Sequence, residues 1–112
     1  MDLEAFELVL LRRPDDATDY PDEEIDRIQR EHLAFYAGLR ASGEVVTNGP
    51  VQEPGDPTLR GLGFYRTGSL EQARELAEAD PAVRAGRLAV EIMTYYCTPG
   101  TMSKPGRPVT LA

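Results

Sequence analysis

Two strand–helix–strand runs in succession leave this chain few folds to adopt. From Glu4 to Arg12, Phe6, Leu8 and Leu10 point one way and Ala5, Val9 and Leu11 the other. Both sides are mostly apolar, as in a central strand covered on two faces. After a polar loop, Pro21 opens a helix with Asp22, Glu23 and Glu24 in its first turn, where the dipole favours acids. The helix runs to about Ala41 and Gly43 ends it. Gly38 sits inside it at a cost of about 1 kcal/mol against alanine, which a close approach to another backbone would explain. Glu44 to Val51 reads as a second strand, Gln52 to Pro57 as turn chemistry, and Arg60 to Thr67 as a third strand. Gly61 and Gly63 share one side of that third strand, a pattern of bulges or of close approach by a ligand or another chain. Ser69-Leu70-Glu71-Gln72 forms a capping box for a second helix through Ala79, which must stop before Pro81. One further helical turn, Pro81 to Gly86, leads into a fourth strand, Leu88 to Tyr96.

The order β-α-β-β-α-β predicts an α+β, ferredoxin-like domain over 1–97, with a four-stranded antiparallel sheet and both helices on one face. The other face is expected to carry Val9, Leu11, Met93 and Tyr95. An apolar surface of that size calls for a cover, so a homodimer packed sheet to sheet, a dimeric α/β barrel, is expected. Residues 98–112 are rich in proline and glycine and read as an irregular tail. A length of 112 residues suits one domain, and the net charge of −7 argues against nucleic acid as a partner. One cysteine, no signal-like N-terminus, and an apolar run (Leu8 to Leu11) too short for a membrane point to a cytoplasmic protein. Eleven of the twelve basic residues are arginine, a bias that carries no functional weight by itself.

The one histidine of the chain falls on the apolar stripe of the first helix, which comprises Ile25, Ile28, His32, Phe35, Tyr36 and Leu39. An imidazole on that face needs a partner, since a buried polar group without one costs about 1–3 kcal/mol. Asp80, at the end of the second helix, is a candidate: it would hold one ring nitrogen and leave the other free for proton transfer. Each residue also has a structural reading. Asp80 before Pro81 suits an N-cap on Ala82 or Val83, and His32 could be satisfied by a backbone carbonyl. Glu7 and Glu91 become possible neighbours if the first and last strands pair, although interface salt bridges to arginine are the preferred account of them. One histidine and one cysteine give no metal-ligand spacing, and Gly61-Leu62-Gly63 is not followed by a helix, so neither a metal nor a dinucleotide is expected. Tyr65, Tyr95, Tyr96 and Phe64 suit a core or interface, or an aromatic-lined pocket; Cys97 has no evident base and reads as inert.

Arg27, His32-Leu33, Leu39, Gly43, Gly49-Pro50, Glu71-Gln72-Ala73 and above all Asp80-Pro81-Ala82-Val83-Arg84-Ala85-Gly86-Arg87-Leu88 resemble the YCII-related domain family, over nearly the whole chain to about Tyr96. The resemblance implies a dimeric α/β barrel and an active site on a His and an Asp, here His32 and Asp80. It also implies acid–base elimination or isomerisation on a small, often hydroxylated ring compound, without a cofactor. Phe35, Tyr36, Gly49, Pro50 and Phe64 are expected to bind that compound. The chain departs from the family's His-Pro-Trp-like end of the last strand, carrying Ile92-Met93-Thr94-Tyr95-Tyr96 instead. The competing readings are a non-catalytic small-ligand-binding or accessory dimer of the same fold and a cofactor-free oxygenase.

Overall fold

The computed structural model describes residues 1–53 and 55–111. Pro54, in the expected turn 52–57, and Ala112, at the end of the expected tail, lie outside them. The elements are β1 (Glu4–Arg12), α1 (Asp22–Ser42), β2 (Val45–Pro50), β3 (Leu59–Tyr65), α2 (Leu70–Glu78), α3 (Pro81–Arg84) and β4 (Ala89–Cys97). The strands form one antiparallel sheet in the order β2-β3-β1-β4. This is the ferredoxin-like α+β arrangement that two interleaved β-α-β halves produce.

Register decides which face of each strand meets the helices. Val9 pairs with Gly63 on one side and Ile92 on the other, and Leu11 with Gly61 and Val90. Val9 and Leu11 are buried with Tyr36, Leu39, Val45 and Tyr65 beneath the helices. The expectation that Val9 and Leu11 share a face with Met93 and Tyr95 is therefore corrected. Met93 pairs with Leu8 and Tyr95 with Phe6, so the helix-free face is built from Phe6, Leu8, Phe64, Met93 and Tyr95. Alternation within a strand is visible in sequence, but which parity points inward depends on pairing.

Local signals explain most boundaries. Pro21 precedes the first helical residue, and its carbonyl accepts from Glu24 and Ile25. Gly43 closes α1 at φ 84°, a left-handed conformation suited to glycine. Ser69 Oγ accepts from Gln72 N at 3.1 Å, whereas the Ser69 amide turns to Thr67 Oγ1, so only half of the expected capping box forms. Glu7, the acid inside β1, is buried because its Oε1 accepts from Thr67 N, Thr67 Oγ1 and Gly68 N and ties down the β3–α2 turn. Glu91 pairs with Arg12 on the opposite face, so the two glutamates are not neighbours. In the tail, a 3₁₀ turn at Thr101–Ser103 folds back, with Gly100 N donating to Glu4. No helix among the described residues is long and apolar enough to cross a membrane.

Gly38 has no neighbour within 4 Å of where a Cβ would stand, so the expected close approach is absent. Gly38→Ala is therefore expected to stabilise the protein by about 0.5–1 kcal/mol, through helix propensity and a less flexible unfolded chain. A urea unfolding midpoint that rises with an unchanged slope would establish it; a lower midpoint would refute it.

Candidate active site

The middle of α1 lies against α3, and this packing brings His32 to Asp80. His32 Nδ1 is 2.9 Å from Asp80 Oδ1 and 2.8 Å from Oδ2. Asp80 is fully buried, while the His32 side chain keeps 14% of its exposure. Asp80 Oδ1 also accepts from Ala82 N at 2.9 Å and so caps α3. The two readings of Asp80 therefore hold together: the helix cap fixes the carboxylate, and the fixed carboxylate holds the ring. A carboxylate can only accept, so with Asp80 ionised this contact calls for a proton on Nδ1. Every buried side-chain nitrogen and oxygen among the described residues has a partner. Nε2 has none, and so it reaches solvent.

The opening beside His32 is a cavity of about 370 Å³ between α1 and one end of the sheet. That size suits a small organic molecule. From α1 it is lined by Gln29, His32, Leu33 and Arg40; from β2 by Asn48, Gly49 and Pro50. The strand ends and the segment before β4 add Leu11, Arg13, Arg60, Gly61, Leu62 and Leu88. Gly61 is required here, because a Cβ would stand 2.9 Å from the Gly49 carbonyl oxygen, a contact that β2 could relieve only by moving. Its bare backbone leaves space at the sheet end that a side chain would fill.

Of the residues expected to bind a ligand, Gly49 and Pro50 line this cavity with His32. Phe35 and Tyr36 pack into the core instead, and Phe64 lies on the far face of the sheet against Tyr95, with ring centroids 5.1 Å apart. Phe64 pairs with Leu8, whose parity is opposite to that of the helix-facing Val9, and this directs it away. Arg13, Arg40, Arg60, Gln29 and Asn48 were not anticipated. Gln29, Leu33 and Arg40 follow an i, i+4, i+11 line on the flank of α1, a helical signal visible in the sequence. Arg13 and Arg60 meet only through strand pairing.

Beneath the pair lie two tyrosines. Tyr36 stands edge-on to the His32 ring at 5.2 Å, and its hydroxyl is 2.6 Å from that of Tyr65. Burial pushes the Tyr36 phenol up to about 12, with the Asp80 charge adding to the rise and the Tyr65 hydrogen bond opposing it. Burial likewise raises Tyr65, followed by the influence of Tyr36 and then Asp80. Both phenols thus ionise more readily unfolded than folded. Their contribution to stability is complete below about pH 10 and is lost as pH rises toward about 12. Two of the five tyrosines are therefore expected to stay silent in an alkaline titration of phenolate absorbance until the protein unfolds. Native circular dichroism persisting while all five ionise would contradict this.

Among the described residues, no group of three or more His, Cys, Asp or Glu is placed to hold a metal ion. The family model of the YCII-related domain matches residues 7–95. A solved structure similar to this chain is 5-chloro-2-hydroxyhydroquinone dehydrochlorinase from Burkholderia phenoliruptrix AC1100, in complex with 2,5-dihydroxybenzoquinone. It is 21% identical, with 88% of this chain and 99% of that chain covered at a TM-score of 0.50, a likeness of fold. No curated protein sequence matches.

Proposed function

The chain belongs to the YCII-related domain family, and from that premise we propose that it is a cofactor-independent acid–base enzyme acting on a small, hydroxylated ring compound. The observation that carries the proposal is an imidazole held at Nδ1 by a buried carboxylate, with Nε2 open beside a ligand-sized cavity. In the proposed reaction Nε2 takes a proton from a hydroxyl or carbon of the ring, and Asp80 stabilises the imidazolium that results. The electron pair left on the substrate moves through the ring. It either takes the proton back at another ring atom, giving an isomerisation, or, once that proton sits on a carbon bearing a leaving group, removal of a second hydroxyl proton expels the group, giving an elimination. The dehydrochlorinase of like fold acts on a ring compound of this kind, which supports the choice of class. Incubation with 5-chloro-2-hydroxyhydroquinone and its unchlorinated counterpart in deuterated buffer tests it. Chloride release, or deuterium entering ring carbons faster than without protein, is expected. A ligand that binds and returns unlabelled and unchanged would make the protein a binding module.

The helix-free face supports a second element of the proposal, a homodimer. Phe64 and Tyr95 meet edge to face there with Leu8 and Met93 alongside, and solvated apolar patches of this kind are rare on monomers. Light scattering is expected to read twice the 12.4 kDa chain mass and to fall to 12.4 kDa for the double variant Phe64→Glu, Tyr95→Glu. A wild-type mass of one chain would refute the dimer.

A further inference from the structure

The chain carries 19 acidic and 12 basic residues, yet among the described residues no Asp or Glu lines the cavity beside His32, while three arginines do. None of the three forms an ion pair among the described residues. Arg13 is half-buried at the cavity wall and uses only Nε, donating to the Arg87 carbonyl at 3.0 Å. Its terminal nitrogens have no hydrogen-bond partner among the described residues. Arg40 is steered toward the cavity by donating to Asn48 Oδ1, and Arg60 makes no side-chain hydrogen bond among the described residues. Burial lowers the Arg13 pKa, and the charges of Arg87 and Arg60 lower it further, the mark of cations gathered without a counter-charge. Gathering like charges in an acidic protein, with none of its carboxylates among them, costs free energy that a bound anion would return. Leu11, Leu33, Pro50, Leu62 and Leu88 give the lining an apolar part, beside the neutral amides of Gln29 and Asn48.

We propose that this cavity takes its ligand as an anion: a ring compound bearing an ionised carboxylate, phenol or enol, whose charge is held by Arg13, Arg40 and Arg60 while the apolar lining holds the ring. Guanidinium groups suit this, since each presents several donors to an anionic oxygen in a fixed geometry. The inference takes its ring from the acid–base reading above, but it stands on binding alone and does not require turnover. The arginines are substrate-holding groups; His32 remains the proton-transfer group.

Paired charged and neutral probes test it by calorimetry: benzoate against benzamide, and 4-nitrophenolate against 4-nitroanisole at about pH 8.5, where the phenol is ionised and arginine stays charged. The two pairs separate carboxylate from phenolate recognition. In at least one pair the anion is expected to bind about tenfold more tightly than its neutral partner, and raising salt from about 0.05 M to about 0.3 M should erode that preference. The triple variant Arg13→Gln, Arg40→Gln, Arg60→Gln should abolish it. Should that variant fold poorly, the exposed Arg40→Gln and Arg60→Gln are read singly, each lowering the preference about threefold. No charge preference in either pair, or a preference that survives the substitutions, overturns the inference. His32→Ala separates the two proposals, because it should keep the charge preference and lose proton exchange.

Discussion

Asp80→Asn is expected to lower turnover by about 10²–10⁴-fold while leaving the fold in place. The side-chain oxygen can still accept from Ala82 N, so the cap on α3 survives. The new NH₂ then takes the place of Oδ2, 2.8 Å from His32 Nδ1. Oδ1 also lies 2.9 Å from Nδ1, but an NH₂ group this close repels a proton there, so the ring is expected to shift its proton from Nδ1 to Nε2. An imidazole with a hydrogen on the nitrogen that meets the substrate cannot accept a proton from it. The loss should fall on kcat, with KM changed little, because the cavity lining is untouched. His32→Ala should lose at least as much. Full turnover in both variants would remove the pair from the mechanism.

Asp80→Ala is expected to be the more damaging change to the fold, costing about 3–5 kcal/mol. It removes the cap of α3 and leaves the Ala82 amide and His32 Nδ1 without their acceptor, at a site with no solvent exposure. A domain of this size holds only about 5–15 kcal/mol in total, so this variant should be close to unfolding at ambient temperature. Asp80→Asn should lose about 1 kcal/mol, since one of the two acceptor roles is retained. Urea midpoints for the pair of variants separate the two roles of the residue. Equal midpoints would mean that the cap contributes nothing.

How far these residues were readable in advance follows from the range of the interactions involved. The stripe on α1, the acids of its first turn, Gly43 at its end and Asp80-Pro81 at the start of α3 are local patterns, and all of them appear in the structure. The doubled β-α-β order led from them to the sheet. What needed pairing was not readable: the inward parity of Val9 and Leu11, the outward turn of Phe64, and the separation of Glu7 from Glu91. Residue type suggested an aromatic pocket, yet Tyr36 and Tyr65 satisfy each other in the core. The cavity is lined instead by arginines contributed by three elements or strand ends, Arg13, Arg40 and Arg60, a juxtaposition that no spacing along the chain encodes. The two accounts of Asp80 looked like alternatives in sequence and coexist in space, because one carboxylate oxygen accepts from both Ala82 N and His32 Nδ1.

The proposed chemistry depends on the protonation of one ring, and the chain has a single histidine, so a long-range proton–nitrogen spectrum of ¹⁵N-labelled, untagged protein shows that ring alone. Recorded where the imidazole is neutral, it should show the proton on Nδ1 and a bare Nε2, and in Asp80→Asn the reverse. A wild-type ring protonated on Nε2 would contradict the proposed role of His32.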